Sequence, residues 1–323
     1  MSRFRQANLN KIRTVSLKAR KSKVEISAAG KVLPVGYAGK FFDSLPKYLK
    51  AADLIEFISR VTSSRKKGFP FHVMMGAHVI KVGLSPIIID LVKSDIITGL
   101  SFNSAGLIHD LELAFTGKTS EDVRTNLQDG SFGMAFDTGE LFAEVVDLAD
   151  KKAIGLGEAA GIFINKQRAK YREYSLFAAA DRKNFPATVH LVIGTDIVHQ
   201  QKSFRAGPAA EASYRDFKIL ANIMTGVDRG GAVANIGSAV IMPEVFLKAL
   251  TVARNLKKQK CNITTANFDM INHYRPSKNV VQRPTAGGGR GYNFIGHHEI
   301  MIPLLAWGLK SYTRNKNIQR SLR

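Results

Sequence analysis

Apolar positions along this chain recur with two alternating periods. Short apolar runs at Phe71–Met75, at 188–193 and at Ala232–Ile236 end in Gly76, Gly194 and Gly237-Ser238. Such runs, closed by small residues, predict strands buried on both faces, and 96–102 and 262–266 read as two more. The segments between them carry helical spacing. Leu49, Leu54, Ile55, Phe57, Ile58 and Val61 form one stripe, with Ser44 as the predicted cap and Pro46 in the first turn. Ser85-Pro86 opens a second helix through Ile88, Ile89, Leu91 and Val92, and Thr119-Ser120-Glu121-Asp122 resembles a capped start. Further helices are predicted at 138–151, 156–170, 211–224, 243–256 and 297–309.

Strand followed by helix, repeated, predicts an α/β fold with a mostly parallel sheet covered on both faces. Nothing Pro- or Ser-rich divides the chain, so the expected organisation is a basic arm over 1–40, one nucleotide-binding catalytic domain over 41–310 and a basic tail over 311–323. With 323 residues, 45% of them hydrophobic, the chain is sized for an enzyme rather than a small binding module. No apolar run reaches the roughly 18 residues that cross a bilayer, and residues 1–23 lack a secretory apolar core. A cytoplasmic location without a membrane partner is the expectation. The single cysteine, Cys261, excludes an internal disulfide framework and reads as a buried thiol. The net charge of +21 keeps nucleic acid open as a partner. Much of the excess lies in the arms, however, at Arg3, Arg5, Lys11, Arg13, Lys18, Arg20, Lys21, Lys23, Lys310, Arg314, Lys316, Arg320 and Arg323, with no recognition motif between them.

In open parallel sheets ligands lie beyond the carboxyl ends of the strands. The predicted tips are small or polar: Gly76-Ala77-His78, Asn103-Ser104-Ala105-Gly106, Gly194-Thr195-Asp196 with His199, Gly237-Ser238, and Thr264-Thr265-Ala266-Asn267-Phe268-Asp269. Several such tips on one rim suit a dinucleotide-sized anion. There is no G-x-G-x-x-G after the first strand and no Walker loop. Gly287-Gly288-Gly289-Arg290-Gly291 reads as a mobile loop, with Arg283 and Arg290 as a conceivable anion clamp. His109-Asp110 and His298-Glu299 pair an imidazole with a carboxylate, the composition of a general base. His109, Asp110, His199, His298 and Glu299 are also competent metal ligands, without H-E-x-x-H spacing. A metal-dependent hydrolase or lyase and a non-catalytic nucleotide- or RNA-binding protein therefore stand as alternatives.

The run from Met74 to Gly117, MMGAHVIKVGLSPIIIDLVKSDIITGLSFNSAGLIHDLELAFTG, resembles a segment of the deoxyhypusine synthase superfamily, with Leu107-Ile108-His109-Asp110 in the place of its Leu-x-His-Asp. Phe185-Pro186, the Gly-Thr-Asp turn at Asp196, Gly237-Ser238 and the Thr-rich strand ending at Asp269 follow in a similar order. The resemblance implies a single Rossmann-like, NAD-binding domain that forms a homo-oligomer. It implies hydride transfer from an amine, polyamine-like or otherwise small and polar, with aminoalkyl transfer through an enzyme imine. It places NAD against Asn103, Ser104, Ala105, Gly106, Gly237, Ser238, Thr265 and Asp269, and Gly76, Gly194 and Thr264 join them by lying on the predicted tips. It sets His109, Asp110 and Asp196 beside the reacting amine, and Asp110, Asp196, Asp269 and Glu299 as anchors for a cation. The family's imine lysine follows Trp-Gly, whereas here Trp307-Gly308 leads to Leu309 and Lys310. Lys278 is the candidate substitute.

Overall fold

The computed structural model describes residues 9–32, 34–36, 38–257 and 262–314. Cys261, and Arg3, Arg5, Lys316, Arg320 and Arg323 of the arms, lie outside the described residues.

In chain order the elements are β1 (Ser22–Glu25), α1 (Ala38–Ser44), α2 (Leu49–Lys66), β2 (Phe71–Met75), α3 (His78–Lys81), α4 (Ser85–Lys93), β3 (Gly99–Asn103), α5 (Ser104–Thr116) and β4 (Lys118–Glu121). There follow α6 (Val123–Asn126), α7 (Phe136–Lys152), α8 (Leu156–Lys166), α9 (Leu176–Lys183), β5 (Ala187–His190), α10 (Ala206–Val227), β6 (Ala232–Ile236) and α11 (Ile241–Lys257). The last are β7 (Thr264–Asp269), α12 (Tyr274–Pro276), which runs into a π-helical turn at Ser277–Gln282, β8 (Arg290–Ile295) and α13 (His298–Arg314).

Six strands form one parallel sheet in the order β5-β3-β2-β6-β7-β8. Counted from β2, the first of them in the chain, this is the 3-2-1-4-5-6 order of Rossmann-like folds, in which direction reverses between the first strand and the fourth. That reversal falls between β2 and β6.

The sheet's faces differ in chemistry. On one, Phe71, Val73, Met75, Leu100, Phe102, Ile236, Phe268, Tyr292 and Phe294 join the main core, and Phe57 of α2 meets the rings of Phe71, Phe268, Tyr292 and Phe294 at 5.7–6.2 Å. The opposite face, where Met74 and Val233 pack with α10 and α11, carries a polar band. His72, Ser101, Thr188 and His190 are linked in series at 2.7, 2.5 and 3.0 Å. Asn235, Asn267 and Asn293 are linked at 2.8 and 2.9 Å. Buried amides and hydroxyls are tolerated there because each finds a partner on the next strand. Burial lowers His72 and His190 to about 3, so both rings are neutral.

Several predicted elements shift. Ser44 does not cap a long helix: its Oγ bonds back to the Phe41 carbonyl at 2.8 Å and closes α1. Leu45 precedes Pro46 and is driven out of helical geometry, so α2 begins only at Leu49. Thr119 to Glu121 form a strand antiparallel to β1, with Thr119 opposite Val24, and Asp122 is the cap, accepting from the Thr125 N–H at 3.2 Å. The segment around Arg20 is tied down here, because Arg20 donates twice to Glu112 of α5, at 3.0 and 2.9 Å. The strand expected at 262–266 runs to Asp269, and the glycine run at 287–291 is a packed turn leading into β8. A Cβ on Gly289 would lie 2.4 Å from the Ile263 carbonyl oxygen. That turn is at the sheet's amino edge, where Arg290 pairs with Glu56 at 3.5 Å and Arg283 with Asn279 at 2.6 Å, so it clamps nothing at the carboxyl edge.

Candidate functional site

At the reversal point the turns after β2 and β6 touch. A Cβ on Gly76 would lie 2.2 Å from the Gly237 carbonyl oxygen. Gly237 has φ +63°, and its bare face is covered by the ring of His298, 2.7 Å from where a Cβ would be. Glycine is needed at 237 for that backbone and that neighbour, not for the approach of a ligand.

His298, the first residue of α13, is 1% exposed. Its Nε2 lies 3.2 Å from the Phe268 carbonyl and its Nδ1 lies 2.8 Å from Nδ1 of His78. His78 is half-buried on α3. Its pKa is lowered, chiefly by burial and then by His298 and Lys81, against the opposing pull of Glu299 and Asp269. Asp269, at the tip of β7, is 5% exposed; Oδ1 accepts from the Met270 N–H at 2.8 Å and Oδ2 has no partner. A buried carboxylate oxygen without a donor invites a ligand hydroxyl or cation.

One turn further along α3, Lys81 lines a cavity of about 170 Å³ with Arg20, Ala105, His109, Glu121, Thr195 and Asp196. No hydrogen bond or ion pair engages the Lys81 amine among the described residues. Burial lowers its pKa, opposed by Glu112 and Glu121. His109 sits 2.7 Å from Thr119, whose hydroxyl donates to Glu112. Thr119 must therefore accept from Nδ1–H of His109, which leaves Nε2 unprotonated. Burial lowers the His109 pKa, with Glu112 opposing. Burial also pushes the Glu112 carboxyl up, but the neighbouring His109 ring and the Arg20 guanidinium outweigh it and hold it well below the usual range.

Neighbours in sequence diverge on a helix. Asp110 leaves this cavity altogether and accepts from Ser175 Oγ at 2.5 Å and the Leu176 N–H at 2.7 Å, where α9 begins. The partner that orients His109 is Thr119, itself held by Glu112, and not Asp110. Asp196 does reach the cavity, accepting from Ser104 and Thr195, and forms a capping box with His199. His199 accepts the backbone N–H groups of Gly194 and Asp196 on Nδ1, both at 3.1 Å, so it latches a loop and that nitrogen is spent. Asn103 caps α5 by accepting from Gly106 at 3.2 Å, Gly106 packs on Phe102, and Ser238 caps α11 through the Met242 N–H at 3.2 Å.

Other candidates are not brought together. Thr264 and Thr265 open β7 at the far end of the sheet, because the strand's pairing extends to Asp269 opposite Ile295. Lys278 donates to Gln282 at 2.7 Å on the π-helical turn and does not line the cavity with His109. Glu299 is exposed, 3.8 Å from His297. His78 was placed on the first predicted tip without a role, whereas Lys81 and Arg20 were not expected at the site. Larger cavities, about 250 Å³ beside Ala187 and about 370 Å³ between α4 and α13, hold none of the candidates. Among the described residues no three His, Cys, Asp or Glu side chains gather as a metal site, which leaves the metal-dependent alternative without a ligand set there. No helix among them is long and apolar enough to cross a membrane.

These features define a Rossmann-like α/β protein with a polar carboxyl edge, and solved structures share that fold. The ternary complex of AgrE with ornithine and NAD⁺ matches over 81% of this chain and 33% of its own length, at 12% identity and a TM-score of 0.54. The present chain thus spans about a third of AgrE. A conserved putative LOR/SDH protein from Methanococcus maripaludis S2 matches over 89% of this chain and 72% of its own, at 13% identity and a TM-score of 0.51. A putative deoxyhypusine synthase from Entamoeba histolytica matches over 88% and 98%, at 10% identity and a TM-score of 0.49. What the first two matches share with this chain is the fold alone. No family model and no curated protein matches the sequence.

Proposed function

We infer that this chain is an NAD-dependent enzyme that carries out hydride transfer on a small polar substrate of the amine class. The observation that carries this reading is the reversal point between β2 and β6, where His78, His298 and the unpartnered carboxylate of Asp269 lie together, one turn of α3 from the cavity that Lys81 lines. The dinucleotide lies along the carboxyl edge, its phosphates near the start of α5 and a ribose hydroxyl on the unpartnered Oδ2 of Asp269. The residues fit such a group, because Oδ2 is a buried acceptor that the protein leaves free. A polar end of the substrate away from the oxidised carbon occupies the 170 Å³ cavity, where His109 and Asp196 accept hydrogen bonds and Lys81 supplies an amine in place of Lys278. Exposed Val192, Ile193, Val240, Met270 and Ile271 near the tips fit coverage by a second copy of the chain, which sedimentation would register as a dimer or larger.

The test is calorimetric titration with NAD⁺ and NADH. Saturable binding is expected for the wild-type chain, and Asp269→Asn should weaken it about tenfold, the cost of one charge-assisted hydrogen bond. No heat at millimolar ligand sinks the reading.

A further inference from the structure

We propose that His78 is the proton acceptor at this edge and that His298 is the residue that positions it. The Phe268 carbonyl can only accept a hydrogen bond. The His298 Nε2 that lies 3.2 Å away must therefore carry a hydrogen. In the neutral ring His298 Nδ1 is then a bare acceptor, and the 2.8 Å contact to His78 Nδ1 is made only if that nitrogen carries the hydrogen. The tautomer of His78 is thereby set. Nδ1 is protonated and Nε2 bears the lone pair.

That Nε2 has no protein partner and is not among the sealed, unpaired polar atoms, so it is open to a ligand. The charged and titratable groups facing the ring are His298, Glu299, Lys81 and Asp269. Two are carboxylates, which favour the imidazolium once a proton arrives, while burial and Lys81 keep the resting ring neutral.

A substrate carbon gives up a hydride to a nicotinamide dinucleotide, the N–H or O–H hydrogen on the adjacent heteroatom leaves as a proton to His78 Nε2, and the C=N or C=O double bond forms between them. The inference rests on the dinucleotide reading of the same edge for its oxidant. The tautomer of His78 does not.

The experiment uses the full chain in two measurements. Long-range ¹H–¹⁵N correlation spectra at neutral pH should find His78 as the Nδ1–H form and His298 as the Nε2–H form. Diethyl pyrocarbonate, mapped by mass spectrometry, should modify His78 at least about tenfold faster than buried His298, and saturating NAD⁺ should slow the His78 reaction by a similar factor. His298→Asn retains an acceptor oxygen near the place of Nδ1 and should preserve the His78 tautomer, whereas His298→Leu should scramble it. A merely structural His298 would leave the tautomer unchanged in both variants. Finding His78 in the Nε2–H form overturns the proposal, as does NAD⁺ that binds calorimetrically without protecting His78. If NAD⁺ does not bind at all, the dinucleotide reading fails, and the spectra alone decide whether His78 is held as an acceptor.

Discussion

Asp216 on α10 shows what a single buried carboxyl does in this fold. Its Oδ2 accepts from the Val189 N–H at 2.8 Å and the Gly157 N–H at 3.0 Å, so it pins β5 and α8 to α10. Burial nevertheless raises its pKa from 3.8 to about 8, against the lowering effect of those hydrogen bonds. Between those two values the unfolded chain has released a proton that the folded chain still holds. Stability contributed by this group is therefore complete below the unfolded value and is lost as pH rises toward the folded one. Asp110, raised to about 7 by burial, adds to the same trend at lower pH. Asp216→Asn keeps an acceptor oxygen and cannot ionise. Urea denaturation at several pH values should show the wild type losing stability relative to this variant by up to about 1.4 kcal/mol per pH unit from weakly acidic conditions to pH 8.

Whole elements were legible where a local signal coincided with a strong physical constraint. β2 and β6 have their expected bounds, because each is a short apolar run stopped by glycine, and α4 starts at Ser85-Pro86 as expected. α9 was missed: its Leu-Phe-Ala-Ala-Ala core is one short segment whose cap, Ser175, is secured by Asp110, 65 residues earlier. β7 was read too short because Asn267 and Asp269 look like turn residues, and only cross-strand partners make an asparagine acceptable in a central strand. The rim of small tips was legible for the site, but its pairings were not, since His78 and His298 meet across 220 residues. The two-stranded β1–β4 sheet depends on the same kind of distant contact. The Arg20 side chain is 4% exposed and Glu112 is fully covered, with Thr138 donating to the same carboxylate at 2.7 Å. Arg20→Met should cost about 3–5 kcal/mol in chemical denaturation, because it strands a buried charge. Replacing Glu112 by Met in the same chain should recover part of that loss, as an apolar pair needs no counter-ion.

Among the described residues, the topology gathers one set of cations at the amino edge of the sheet. Every helix that leads into a sheet strand ends at the amino edge, and α2, α4, α9 and α11 end there with Arg65, Lys66, Lys93, Arg182, Lys183, Arg254 and Lys257. Cations suit the carbonyl ends of helices, so much of this arrangement follows from capping. The carboxyl edge is more balanced, with Lys81 against Asp196 and Asp269. Five-residue strands separate the edges by roughly 17 Å, which exceeds the Debye length of about 8 Å at physiological salt but falls inside the roughly 30 Å at 0.01 M. The amino-edge cations should therefore attract an anionic dinucleotide to the opposite edge only at low ionic strength. Lys66→Glu combined with Lys67→Glu should leave NAD⁺ affinity within about twofold of wild type at 0.15 M salt and weaken it clearly at 0.01 M, the regime in which the field is unscreened. Lys81→Met, placed at the carboxyl edge itself, should alter NAD⁺ affinity by a similar factor at both salts. Calorimetric titration of the two variants at both ionic strengths separates a long-range field from a local contact, because salt removes the first and leaves most of the second.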